Sequence, residues 1–179
     1  MTQAIDIRTL IRTISDFPRP GVQFRDITTL LKRPDGLRTV IEAFAAAYRG
    51  VAIDKVAAIE SRGFIVGAAL AYALEAGFVP IRKGGKLPAE NFGQDYQLEY
   101  GSDRLEMHAD AMAPGERVLL VDDLIATGGT AEAALRLIAV ARAWVVGCAF
   151  VIDLPDLGGR ARLERAGYRV LALCAFAGD

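Results

Sequence analysis

The stretch Arg117–Ile138, RVLLVDDLIATGGTAEAALRLI, decides the fold. Four apolar residues, Val118 to Val121, lead into Asp122 and Asp123; a Thr127-Gly128-Gly129-Thr130 turn follows, and an alanine-rich pattern of helical spacing resumes. A short, continuously apolar run suits a strand covered on both faces, and a glycine turn from strand into helix opens a βα unit. Free amides and hydroxyls in the first turn of that helix converge where the helix dipole favours an anion. The dipole alone contributes about 0.3 to 1 kcal/mol, up to ~2 when partly buried, too little to strip water from a dianion. The glycines matter because they let several N–H groups approach the oxygens closely. No lysine follows them, as a GxxxxGK[ST] triphosphate loop would require, so a single phosphate fits better. Asp122 and Asp123 precede the turn by about the reach from a 5′-phosphate to ribose hydroxyls, whose hydrogen bonds carboxylates accept well.

Outward from this unit, Ile7, Leu10, Ile11 and Ile14 recur at the spacing of one helix face, which predicts an amphipathic helix ending before DFPRPG, a proline-rich surface loop. Leu37, Val40, Ile41, Phe44 and Tyr48 predict a second helix stopping near Gly50. KVAAIE reads as a strand, SRG as a turn, and GFIVGAALAYAL (63–74) as a buried helix. FVPIRK reads as a strand. GGKLPAENFGQD has no periodicity and is expected to be mobile, while QLEY and DRLEM suit a half-exposed hairpin. WVVGCAFVID, GGRARLERAG and YRVLALCAF complete the chain as strand, short helix and strand. Strands alternating with helices, several of them wholly apolar, predict an α/β fold: one domain over 1–179 with a mostly parallel twisted sheet and helices on both faces. Ligands of such sheets sit beyond the carboxyl ends of the strands, so the strand-to-helix turns are where chemistry belongs.

The chain has 179 residues, 53% of them apolar, and a formal net charge of −1, which argues against a general nucleic-acid binder and makes any anion site local. MTQAIDIRTLIR has no apolar signal core, and the longest uncharged run is far short of the about 20 residues that span a bilayer; no membrane partner and a cytoplasmic location are expected. Cys148 and Cys174 lie in apolar runs without CxxC spacing and read as buried thiols of a reducing compartment.

At the acid pair and glycine turn the sequence resembles the type I phosphoribosyltransferases: VLLVDDLIATGGT looks like their phosphoribosyl diphosphate motif. DFPRPGVQFRDIT, ESRGF, IRKGGKLP, LEYG and LGG, in this order, resemble the adenine-specific branch of that family over nearly the whole chain. The resemblance implies transfer of 5-phosphoribose from phosphoribosyl diphosphate to N9 of adenine, with Mg²⁺ bound through substrate and water, in a homodimer. It implies an N-terminal hood over about 1–34 and a lid over about 83–97. By the same resemblance Asp122 and Asp123 hold the ribose hydroxyls and Ala126, Thr127, Gly128, Gly129 and Thr130 wrap the 5′-phosphate. Ser61, Arg62, Arg82, Lys83 and Lys86 meet the diphosphate, and Glu60–Ser61 is a non-proline cis peptide. Gln23, Phe24, Arg25, Arg62 and Leu154 line the adenine slot, Tyr100 covers the ribose, and Glu99, with Arg62 and Lys86, is catalytic. Two rivals are a sensor that keeps the fold without catalysis, for which the chain has no spare DNA-binding segment, and an enzyme for another base, against which PGVQFRD speaks.

Overall fold

The computed structural model describes residues 5–97 and 101–178. Strands β3 (Lys55–Ile59), β4 (Gly77–Lys83), β5 (Asn91–Gln97), β6 (Ser102–His108), β7 (Arg117–Ile125), β8 (Trp144–Asp153) and β9 (Val170–Ala175) form a seven-stranded sheet in the order β5-β6-β4-β3-β7-β8-β9. The block β4-β3-β7-β8-β9 is parallel, and the β5–β6 hairpin joins antiparallel at β4. The α/β architecture predicted from the strand and helix alternation is present.

The continuous apolar runs arise because the parallel strands are buried on both sides. Ala57 and Ile59, Val118 and Leu120, Cys148 and Phe150 pack into one core, under α4 (Gly129–Val140) and α5 (Gly159–Arg165). Their neighbours Val56 and Ala58, Leu119 and Val121, Ala149 and Val151 pack into the other. That second core lies under α1 (Thr28–Leu31), α2 (Pro34–Ala47) and α3 (Arg62–Ala73). Burial of this kind contributes roughly 1.5 to 3 kcal/mol per large aliphatic side chain. Burial also pushes the Cys148 thiol up to about 12. Cys174 departs from expectation: it is only half buried, its Sγ donating to the Val151 carbonyl at 3.3 Å.

Three segments differ from the sequence-based expectation. The stripe Ile7–Ile14 is not one helix but a short 3-10 turn (Ile7–Leu10) followed by β1 (Arg12–Ser15), which pairs antiparallel with β2 (Gln23–Asp26). β-branched Thr13 and Ile14 favour the extended form. Arg12 also reaches across to Asp26, donating at 2.5 and 3.2 Å, so tertiary pairing outweighs the helical spacing. The second departure is β5, which occupies residues expected to be aperiodic. Phe92, Gln94 and Tyr96 turn inward while Gly93, Asp95 and Gln97 are exposed, a strand period obscured by the polar Gln94. The third is α3, buried on one side only: Ile65 and Tyr72 stand on its outer face, Tyr72 89% exposed.

Candidate active site

β3 and β7 are adjacent, but the chain leaves them toward opposite edges of the sheet, so a crevice opens at their carboxyl ends. Glu60, Ser61 and Arg62 follow β3, with the Glu60–Ser61 peptide cis, and the Ala126–Thr130 turn follows β7. These segments, the acid pair and Lys83 from the end of β4 line a cavity of about 390 Å³.

The apolar side chains around the acid pair do not alternate strictly. Leu119 and Val121 belong to the second core, and Leu124 and Ala126 pack against it as well, while the register of β7 on β8 keeps its offset through the pair. Asp122 and Asp123 both line the same cleft. The Asp123 amide donates to Asp122 Oδ1 at 2.8 Å, and Asp123 is ion-paired with Arg62 Nε. Desolvation first, then the neighbouring Asp123 charge, raises the Asp122 carboxyl well above the ordinary carboxylate range.

The glycine turn is held from beneath. Gly128 adopts φ +86°, which favours glycine, and caps α4. Gly159, at the start of α5, donates its amide to the Ala126 carbonyl at 2.9 Å. A Cβ at Gly159 would lie 2.3 Å from that oxygen and 2.6 Å from the Gly128 nitrogen, so the LGG sequence seats one glycine turn against another.

A second cavity, of about 730 Å³, shares Leu124 and Ala126 with the first and is roofed by residues 18–25, with Leu154 and Leu157 opposite. Phe24 in this roof meets Phe17 edge-on, and the Arg62 guanidinium lies 5.3 Å from its ring centroid. Arg62 thus joins the two cavities, paired with an acid in one and stacked on an aromatic of the other. The side chains flanking Phe24 are engaged elsewhere. Gln23 Oε1 accepts from the Ser15 hydroxyl at 3.1 Å, and Arg25 donates to Thr13 Oγ1 at 2.6 Å and to the Ala177 carbonyl at 3.1 Å.

Of the predicted basic residues, only Ser61's neighbour Arg62 and Lys83 line the first cavity. Arg82 donates to Glu60 at 3.1 and 3.3 Å and to the Lys86 carbonyl at 3.1 Å, and with its hydrogen bonds it holds the Glu60 carboxyl below the usual range. Glu99 and Tyr100 lie outside the described residues. Sequence reasoning missed Tyr96 and Asp103, which line the cavity beside Lys83, whose Nζ is 3.0 Å from Asp103 Oδ2. For Asp103 the signal is a charge opposite to that of Lys83, on strands whose register the sequence does not give; Tyr96 has no such signal.

Residues 26–169 match the family described as the phosphoribosyl transferase domain. The adenine phosphoribosyltransferase of Nitrosospira multiformis is 64% identical over 175 residues, covering 98% of this chain and 100% of the relative. The chain belongs to the adenine phosphoribosyltransferases. The crystal structure of the family's Rhodothermus marinus member has a TM-score of 0.90 at 54% identity, over 95% of this chain and 96% of that one. The Giardia lamblia adenine phosphoribosyltransferase, complexed with 9-deazaadenine, has a TM-score of 0.92 at 34% identity, over 98% of this chain and 99% of that one. Family membership thus rests on nearly the whole length of the chain.

Proposed function

We infer that the protein transfers the 5-phosphoribosyl group of phosphoribosyl diphosphate to N9 of adenine, giving AMP and diphosphate. The observation that carries this is the pair of adjoining cavities sharing Leu124 and Ala126: a polar one holding an acid pair and a phosphate turn, and one roofed by the β2 edge strand. Ala126–Thr130 would take the 5′-phosphate, Asp122 and Asp123 the ribose hydroxyls, and Ser61, Arg62 and Lys83 the diphosphate. Arg82, near the end of β4, and Lys86, on the lid, would join these as the lid closes. Glu99 would take the purine proton and Tyr100 cover the ribose. The C1′–O bond to diphosphate breaks as C1′–N9 forms, so positive charge gathers on the ribose and negative charge on the departing oxygens, where cationic side chains stabilise it. Closure excludes water that would otherwise hydrolyse the activated sugar.

Mg²⁺ usually keeps several waters and binds through one or two carboxylates plus substrate phosphates. The Asp122–Asp123 wall fits that pattern through ordered water, and Mg²⁺ would supply charge neutralisation on the leaving diphosphate. The exposed apolar face of α3, with Ile65 and Tyr72, supports a homodimer. Among the described residues no helix is long and apolar enough to cross a membrane; a cytoplasmic location is supported by the free thiols.

Among the described residues β2 pairs with β1 along one edge, and its other edge would be the one to read the base. Adenine offers an amino donor beside the N1 acceptor, whereas hypoxanthine and guanine invert that pattern. With the Gln23 carbonyl and Arg25 amide as readers, a 6-oxopurine leaves two groups unpaired, about 2 to 6 kcal/mol or some thirtyfold to over ten-thousandfold in kcat/KM. The test is diphosphate release with each nucleobase in turn. Adenine alone should support rapid release, and Gln23→Ala should keep the preference; equal turnover of hypoxanthine, or loss of preference in Gln23→Ala, would overturn the assignment.

A further inference from the structure

Two cations lining the first cavity, and a third beside it, are already paired with acids: Arg62 with Asp123, Lys83 with Asp103, and Arg82 with Glu60. Asp123 has a ribose to hold, and Glu60 also takes the Lys83 amide at 3.2 Å, fixing the turn after β4. Asp103 has neither task. It stands at the start of β6, and because Lys83 pairs with Leu105 across β4 and β6, Asp103 is its diagonal neighbour two residues along.

The two halves of this pair differ in freedom. Asp103 Oδ1 accepts the Arg104 amide at 2.8 Å, and Oδ2 accepts the Tyr96 hydroxyl at 3.2 Å. Tyr96 is itself buried and packs beside Gly129 of the phosphate turn. The carboxylate is therefore fixed to the site wall. Lys83 ends a flexible four-carbon stem, and its side chain is 55% exposed against 24% for Asp103.

We propose that Asp103 is a positioning residue, the resting counter-ion from which diphosphate must draw Lys83 and to which Lys83 returns when diphosphate leaves. This rests on the reading of Lys83 as a diphosphate ligand. A fixed carboxylate competing for the same ammonium weakens the grip on diphosphate and speeds its release. Burial acts to raise the Asp103 carboxyl, but hydrogen bonds from Lys83 and the Arg104 amide outweigh it, so the acid stays charged and competent to compete.

Asp103→Asn keeps one acceptor oxygen, for the Arg104 amide, and sets an amide NH2 against the Tyr96 hydroxyl, which can accept from it, while removing the charge. Inhibition by inorganic diphosphate should then tighten about two- to fivefold, the range a half-exposed ion pair supports. KM for phosphoribosyl diphosphate should fall similarly, kcat should hold or drop, and KM for adenine should not move. A purely structural role would instead weaken diphosphate binding or raise both KM values, and either result overturns the proposal. If Asp103→Asn does not fold, Tyr96→Phe, which leaves Oδ2 to Lys83, should weaken diphosphate inhibition instead, and no shift there, or a tightening, is equally decisive. Lys83→Met separates the two layers. Unchanged diphosphate inhibition in Lys83→Met removes the ligand reading itself; weakened inhibition in Lys83→Met without tightening in Asp103→Asn removes only the role given to Asp103.

Discussion

At the scale of the residue, the acid pair sets two demands against each other. Asp122 is desolvated and faces the charge of Asp123, so ionising it in the fold works against both. The sign of the pH effect follows. An acid whose folded pKa lies above its unfolded value costs no stability at low pH, where both states are protonated, and destabilises progressively as pH rises above about 4. Asp122→Asn keeps an oxygen for the Asp123 amide, now bonded at 2.8 Å, and removes the charge. The variant should therefore be more stable than the parent at pH 7, by roughly 2 to 4 °C in Tm for each kcal/mol gained in a chain of this size. The difference should vanish below about pH 4. Turnover should move the other way, with kcat/KM for phosphoribosyl diphosphate down at least about tenfold for one charge-assisted hydrogen bond lost. Thermal melts at several pH values beside steady-state kinetics check both halves. A variant less stable than the parent at pH 7 contradicts the strain, and one with parental kcat/KM contradicts the ribose role.

At the scale of the element, the βα unit was legible because its signal is local. An apolar run means a strand buried on both faces, and the glycines that follow are required by the turn itself. What was hidden depends on partners. Thr13 and Ile14 become a strand because β2 lies opposite them, with Arg12 reaching Asp26, and a stripe of four apolar residues at helical spacing carries no trace of that pairing. β5 escaped notice because Gln94 takes an inward position between Phe92 and Tyr96. The Lys83–Asp103 contact depends on the register of β4 against β6 and is invisible without it. Gly159 is a middle case: the LGG motif resembles the family's, but its physical reason is the close approach of α5 to the glycine turn after β7. Gly159→Ala would place a methyl group against two backbone atoms that cannot swing aside as a flexible side chain can. Overpacking of this kind costs about 1 to 3 kcal/mol. Because the displaced group is the phosphate turn, KM for phosphoribosyl diphosphate should rise about tenfold or more while KM for adenine changes less. Kinetics with each substrate varied in turn is the check, and parental KM values for both would show that the two glycine turns are not coupled.

At the scale of the whole molecule, the sheet accounts for one exposed apolar face and not another. The inner side of α3 packs on β3 and β7 through Val66, Leu70 and their neighbours, while Ile65 and Tyr72 point outward with apolar surface unrecovered. Trp144 and Val140 are exposed as well, but they stand at the amino end of β8 and the carboxyl end of α4, away from the crevice. α3 begins at Arg62, which lines the first cavity, so a second copy seated on its outer face would brace the helix that presents Arg62 to that cavity. The Trp144 patch offers no such link to the chemistry. Tyr72→Glu puts a charge where an apolar partner would lie, and burying an unpaired charge at an interface costs several kcal/mol, enough to shift a micromolar or tighter dimer toward monomer. Sedimentation velocity should then report the parent at twice the chain mass and Tyr72→Glu at close to the chain mass of 19.2 kDa, with Trp144→Glu behaving as the parent does. Activity of Tyr72→Glu should fall with the loss of dimer and recover in part as protein concentration is raised, because mass action refills the interface. A parent that sediments at the chain mass, or a Tyr72→Glu variant that remains at twice that mass, would place the subunit contact on another face of the molecule.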